Sequence, residues 1–323
     1  MDSHQVVART RNKLKPPPMK IIANGISIEV EDSGAGFDAA GQPLPTLLLI
    51  MGLGMQLVAW PQTLVAGLVQ AGFRVLRFDN RDIGLSQHFD SLGTPNLLWE
   101  GLKYRLGMSI SPPYTLQDMA RDSLGVLDAL NIKQAHVMGV SMGGMIAQRL
   151  TLLAPARVVS LASIMSSSGA PGLPATDAAV TRVLLSRPRD KSVAAAQEHT
   201  MRLLMAISSP GFPSEEATLQ ERVASSITRN YHPHGLMRQM MAVVADTTRA
   251  FELGSIRVPT LVVHGTSDLL VPLACGQDTA KRIFGAKLEM IQGMGHDLPA
   301  GVIARLLPLL ATHINASAAA SLK

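Results

Sequence analysis

The chain has 323 residues, 47% hydrophobic and 16% charged, which supplies ample material for a buried core and excludes a wholly disordered protein. A formal charge of +5 raises a nucleic-acid or anionic-membrane partner, but Arg9, Arg11, Lys13, Lys15 and Lys20 face only Asp2 in the first twenty residues. The excess therefore sits in one tail, and with aromatics at 4% there is little to stack on bases, so neither nucleic acid nor a membrane is an expected partner.

In chain order, residues 1–18 read as a solvated basic tail. Only Val6, Val7 and Ala8 stand in for the apolar region of a secretory signal, and Pro16–Pro18 reads as an extended lead-in. Met19–Ala23 and Ile26–Glu31 are predicted strands joined at Asn24–Gly25, a hairpin turn. Ser33–Pro45, rich in Gly and Pro, is a loop. Thr46–Met51 is continuously apolar, the pattern of a parallel strand buried on both faces. The apolar run Leu47–Met55 is far short of the ~18 residues that span a bilayer. A helix from about Trp60 to Ala71 and a strand Arg74–Phe78 follow. After an irregular stretch, a helix from about Leu116 to Leu130 opens with Thr115 and Asp118 in capping-box spacing. Then come a strand Ala135–Gly139, a helix Met142–Leu153 and a strand Val158–Met165.

The alternation stops there. Residues 169–252 show helical stretches such as Val193–Ala206 and Leu236–Ala245, broken by Pro210, Pro213 and Pro233. It resumes with a strand Pro259–His264, a helix Leu273–Ile283, a strand Lys287–Ile291 and a helix from Pro299 to about His313. The reading is an α/β protein with a doubly wound, mostly parallel sheet. Residues 19–168 and 253–315 form its core, 169–252 a helical cap, and Ala316–Lys323 a frayed tail. The single cysteine, Cys275, forbids an intrachain disulfide and a cysteine metal cage, and fits a reducing, cytoplasmic setting.

The chemistry concentrates at three strand ends. Gly139-Val140-Ser141-Met142-Gly143 is a Gly-x-Ser-x-Gly pentapeptide between a predicted strand and a predicted helix, the setting of a nucleophile elbow. An ordinary Gly-rich turn is the competing reading. A serine hydroxyl needs a base to take its proton, and the elbow's partners follow in the order acid, then histidine. Asp268 follows the strand ending at His264, and His296 follows the strand ending at Ile291, so both fall in loops at the carboxyl edge of the sheet. The other acid position, after Val158–Met165, holds only Ser166, Ser167 and Ser168. Asp268 would orient the imidazole and His296 would act as base and then acid. An oxyanion would rest on the backbone N–H groups of Met142 and Leu53, the latter in Met51-Gly52-Leu53-Gly54-Met55, where the two glycines could instead serve only a tight turn.

Four features have plainer readings. Asp79–Ser86 reads as a structured turn and His136 as a core histidine. His232-Pro233-His234 lacks a carboxylate or cysteine partner and makes a poor zinc site. Gly52-x-Gly54 lacks the third glycine and the acidic residue of a dinucleotide fingerprint.

These motifs, in this order over about residues 20–313, resemble the α/β-hydrolase fold superfamily. Met-Gly-Leu-Gly, Ala-Trp-Pro and Phe-Asp-Asn-Arg-Asp-Ile-Gly-Leu-Ser, between Leu48 and Ser86, are similar to the branch typified by aclacinomycin methylesterase and related carboxylesterases. The resemblance implies a Ser141–Asp268–His296 triad and a helical cap. Two departures stand out: Met51-Gly52 where many relatives have His-Gly, and Asp82 where the superfamily often has Gly. The expected activity is hydrolysis of a small-molecule carboxylic ester through an acyl-enzyme, with no metal or organic cofactor. Met51, Met55, Met142, Met145 and Met294 near the catalytic loops, and Met201, Met205, Met237, Met240 and Met241 in the insertion, suggest an apolar acyl or alcohol group, with core filling as the competing reading. Lactonase, perhydrolase or carbon–carbon hydrolase chemistry could use the same triad, and a non-catalytic small-molecule receptor is the rival from another class.

Overall fold

The computed structural model describes residues 18–321 apart from 34, 35, 38, 39, 97, 98, 102, 104, 105, 107 and 109, so the basic tail, Pro18 aside, lies outside the described residues. The predicted hairpin is present: β1 (Met19–Ala23) pairs antiparallel with β2 (Ile26–Asp32). Asn24 and Gly25 turn the chain at φ 51° and 77°, the paired left-handed conformations of a tight hairpin turn.

Six further strands complete one sheet: β3 (Thr46–Ile50), β4 (Arg74–Phe78), β5 (Ala135–Val140), β6 (Val158–Ile164), β7 (Thr260–Gly265) and β8 (Lys287–Ile291). Their order is β1-β2-β4-β3-β5-β6-β7-β8, with β2 antiparallel to β4 and every pair from β4 to β8 parallel. From β3 the chain goes to β4 on one side, then crosses to β5 on the other. The carboxyl ends of β3 and β5 therefore flank a switch point, where open α/β sheets bind ligands.

Both faces of the sheet are covered. Leu48, Ile50 and Val137 pack on one face with α2 (Leu116–Ala129) and α3 (Met142–Leu153), while their neighbours Leu47, Leu49 and Met138 point to the opposite face. That second face is covered by α1 (Gln62–Gln70) through Leu64 and Leu68, joined by Val302, Leu306 and Leu310 from the last helix. Full burial of each such side chain contributes about 1.5–3 kcal/mol. The capping box is formed: Thr115 Oγ1 accepts from the Asp118 N–H at 3.1 Å, and Asp118 Oδ2 accepts from the Thr115 N–H at 2.9 Å. The start of α1 differs from the reading at Trp60, because Pro61 favours an extended residue before it and Trp60 adopts ψ 119°.

Between β6 and β7 lie five α-helices and no strand: α4 (Ala178–Leu184), α5 (Val193–Ala206), α6 (Glu216–Arg229), α7 (Pro233–Ala245) and α8 (Arg249–Glu252). Pro233 sits at the first turn of α7, where its missing N–H costs nothing, so the helix begins three residues before Leu236. The chain then returns through β7, α9 (Leu273–Arg282) and β8 to α10 (Ala300–Ser321). The tail expected to fray from Ala316 instead continues α10 to Ser321, in keeping with the high helix propensity of its alanines. No helix of the described residues is long and apolar enough to cross a membrane.

Candidate active site

Ser141 joins β5 to α3 at φ 55°, ψ −124°, a region that costs a non-glycine residue about 1–3 kcal/mol. The turn is held from both sides. The Ser141 N–H donates to the Ile164 carbonyl at 2.9 Å, and the Ser166 hydroxyl donates to the Ser141 carbonyl at 2.7 Å. The motif glycines have a steric purpose: a Cβ on Gly139 would overlap the Gly143 carbonyl, and one on Gly143 would overlap the Ile50 carbonyl. Gly144, beyond the motif, is constrained less severely, since its Cβ would stand 2.6 Å from the Ser166 Cβ. Met142 opens α3, so its N–H belongs to the helix's first, unpaired turn.

The loop after β3 lies against this turn. A Cβ on Gly52 would be 3.2 Å from the Ser141 Cβ. Asn80 Nδ2 donates to the Met51 carbonyl at 2.9 Å, which fixes the start of the loop. Two of its N–H groups are engaged within the protein: Gly54 donates to Gln239 Oε1 at 2.9 Å and Met55 to the Gly52 carbonyl at 3.3 Å. Gln239, buried on α7, also donates from Nε2 to the Arg81 carbonyl at 2.9 Å. One amide side chain thus satisfies a donor and an acceptor on two core loops.

Asp268 and His296 come together as a pair. His296 Nδ1 lies 2.7 Å from Asp268 Oδ2, while Oδ1 accepts from the Leu270 and Val271 N–H groups at 3.0 and 2.8 Å. Since a carboxylate only accepts, the Nδ1 proton belongs on His296, leaving Nε2 as the basic nitrogen. No hydrogen bond joins Ser141 Oγ to His296 among the described residues, and pairs of this kind commonly tighten only in the substrate complex. A second imidazole borders the carboxylate: His264 Nε2 is 2.7 Å from the Val271 carbonyl and 3.5 Å from Asp268 Oδ2. Burial lowers the His264 pKa, so this ring is held neutral with its proton directed at Val271.

Asp79–Ser86 is a structured turn, as expected, and it also holds the insertion. Asp79 accepts from the N–H groups of Leu57 and Leu85 and from Arg229 Nη1 on α6, the last at 2.7 Å. Asp82, at φ 71°, receives a two-pronged contact from Arg238 of α7, with Nε and Nη2 each 2.7 Å from a carboxylate oxygen. Both partners are fully buried. Replacement of Arg238 by Met leaves the Asp82 charge buried and unpaired, and is expected to cost about 3–5 kcal/mol of stability. A urea-unfolding midpoint unchanged in Arg238→Met would contradict this.

His232 does have a carboxylate neighbour, contrary to the sequence reading. Its Nε2 is 3.1 Å from Asp90 Oδ1, and its ring stacks on His88 with centroids 3.9 Å apart. The three side chains form a potential metal-ligand cluster. However, Arg238 Nη2 lies 3.0 Å from Asp90 Oδ1 and 3.1 Å from His232 Nε2, so a fixed positive charge already sits against two of the three groups and opposes a cation there. His136 is a core histidine bonded to Ser160 Oγ at 2.8 Å, its pKa pushed down to about 4 chiefly by burial. The methionines divide. Met51, Met142, Met145 and Met294 belong to the two apolar cores, Met241 is buried outside them, and Met237 and Met240 are only half-buried.

A doubly wound sheet with a serine elbow at its switch point and an acid–histidine pair two and three strands along defines the alpha/beta hydrolase fold. The model of that family matches residues 45–299, and the chain belongs to it. It is 29% identical over 304 residues to the rhodomycin D methylesterase DauP of Streptomyces sp. (strain C5), covering 87% of this chain and 93% of the relative. It is 26% identical over 273 residues to a 2-hydroxy-6-oxononadienedioate/2-hydroxy-6-oxononatrienedioate hydrolase of Cupriavidus pinatubonensis, covering 83% of this chain and 84% of the relative. In structure it is similar to a meta-cleavage product hydrolase from Pseudomonas fluorescens, with TM-score 0.70 and 18% identity over 93% of this chain and 98% of that one.

Proposed function

We propose that this protein is a serine esterase that cleaves carboxylic esters through an acyl-enzyme, with Ser141 as nucleophile, His296 as base and Asp268 as its orienting carboxylate. Ser141 Oγ attacks the ester carbon as His296 Nε2 takes the hydroxyl proton. The tetrahedral oxyanion accepts hydrogen bonds from the Met142 and Leu53 N–H groups. Collapse expels the alcohol, which takes the proton from His296, and leaves an ester on Ser141. Water then attacks that ester as His296 takes its proton, and His296 returns the proton to the Ser141 oxygen as the acid leaves. The observation that carries this reading is Ser141 at φ 55°, held on the same sheet edge as the Asp268–His296 pair. The engagement of Gly54 and Met55 N–H groups elsewhere supports Leu53 as the donor from its loop.

Residues 169–252 serve as a cap over this edge in our reading. Leu236 of α7 touches Gly54, where a Cβ would lie 2.6 Å from its Cδ1, which supports an apolar lining beside the oxyanion loop. The substrate is a small-molecule ester with an apolar acyl or alcohol group, and the methylesterase relative supports a small alcohol. The lone, buried Cys275 fits a cytoplasmic setting. A panel of esters that varies acyl and alcohol size separately tests the reading. Turnover is expected to rise with apolar acyl size for methyl esters, and a panel without any hydrolysed member would refute it.

A further inference from the structure

The loop that carries His296 is clamped between the sheet edge and the insertion. On the sheet side, the Ser267 N–H donates to the Met294 carbonyl at 2.9 Å and the Gly293 N–H to Thr266 Oγ1 at 3.0 Å. On the other side runs the stretch after α5. The His296 N–H donates to the Ile207 carbonyl at 2.7 Å, and the Gly211 N–H to the Gly293 carbonyl at 2.9 Å. Between these two backbone contacts sits Ser209, 1% exposed. Its Oγ accepts from the Gly295 N–H at 2.8 Å and donates to Asp297 Oδ1. The approach is close enough that a Cβ on Gly295 would overlap the Ser208 carbonyl.

We propose that Ser209 and Asp297 are positioning residues: a hydroxyl from the insertion, bridging the residues on either side of His296, fixes the imidazole for reaction. The proposal rests on the triad reading above and adds that the insertion completes the histidine's geometry. The bridge spans Gly295 to Asp297, so it fixes the direction in which the intervening Cα–Cβ bond points. Without the hydroxyl, the insertion still holds this loop through the Ile207 carbonyl at the His296 N–H, the Gly211 N–H at Gly293 and the Ser209 N–H at the Asp297 carboxylate, but none of these spans Gly295 to Asp297. A hydroxyl is needed, because the contact requires one atom to accept from Gly295 and donate to Asp297. The carboxylate of Asp297 supplies only an acceptor, so an amide oxygen can replace it.

The test compares Ser209→Ala, Asp297→Ala and Asp297→Asn with wild type by two readouts. With a short-chain p-nitrophenyl ester, Ser209→Ala and Asp297→Ala are expected to lower kcat by about 10- to 100-fold with KM within about twofold, the size expected of a misplaced base. Asp297→Asn, which keeps the acceptor, is expected to restore most of the loss. Independently of turnover, the downfield proton NMR signal of His296 Nδ1–H is expected to broaden or vanish in both alanine variants and persist in Asp297→Asn. Asp297 is only partly buried, so its variants carry the test even if Ser209→Ala fails to fold. Alanine variants with wild-type kcat and an unchanged signal would overturn the proposal. An inactive wild type whose signal still responds to Ser209→Ala or Asp297→Ala would instead refute the esterase reading and leave the bridge standing.

Discussion

Ser141→Ala is expected to remove ester hydrolysis, with kcat falling by about a millionfold, the scale at which loss of the nucleophile disables a serine triad. It should also abolish covalent labelling by a fluorophosphonate probe. The variant itself should fold, because the contacts that hold the elbow are made by the Ser141 backbone: its N–H to Ile164 and its carbonyl to the Ser166 hydroxyl. Alanine at φ 55° bears much the same strain as serine there, so little stability should be lost. KM should stay close to that of the wild type where residual turnover can be measured. A variant that retained full turnover would place the nucleophile elsewhere and sink the assignment. A wild type that binds apolar esters tightly, is not labelled and turns nothing over would be a receptor built on a hydrolase scaffold.

The candidate catalytic edge is legible in the sequence because its signals are local. Gly139 and Gly143 are steric requirements of a single turn, and Asp268 and His296 each stand a few residues past an apolar strand, so alternation along the chain was enough to bring them to one edge. The sheet was legible for the same reason: Leu47 to Ile50 are buried alternately on two faces, and uninterrupted apolarity is the pattern that leaves.

What escaped the sequence is polar and distant. Gln239 and Gly54 are 185 positions apart, and Arg238 and Asp82 are 156 apart. Nothing in a string of residues separates a buried arginine paired with aspartate from one in solvent. The carboxylate neighbour of His232 is invisible on the same ground, since Asp90 lies in a remote segment. The methionines failed differently: an unbranched thioether fills a core and lines a pocket equally well, and only burial distinguishes Met142 from Met237. The consequence is functional. Gln239 ties the insertion to the loop of the expected oxyanion donor, while the backbone contact from Ile207 ties it to His296. In the proposed reading, changes in the insertion should therefore reach catalysis through two core loops.

Asp268→Asn should lower kcat by about 10⁴ with little change in fold or KM. The two oxygens of Asp268 have separate duties. Oδ1 holds the loop through the Leu270 and Val271 N–H groups, and Oδ2 faces His296 Nδ1 at 2.7 Å. An asparagine that keeps its carbonyl towards Leu270 and Val271 presents its NH₂ to His296. Two donors cannot face each other, so the imidazole moves its proton to Nε2 and offers Nδ1 as the acceptor. The nitrogen meant to deprotonate Ser141 is then already protonated, and the carboxylate that would stabilise the imidazolium is gone. His264 cannot substitute, because its Nε2 proton is committed to the Val271 carbonyl and the neutral ring carries no charge to replace the carboxylate. Asp268→Ala is a less informative variant, since it also removes the two loop contacts and mixes stability with chemistry. The measurement is kcat for Asp268→Asn alongside its circular dichroism and unfolding midpoint. A kcat within tenfold of wild type in a folded variant would show that His296 does not depend on Asp268 for its tautomer, and the acid of the triad would have to be sought elsewhere.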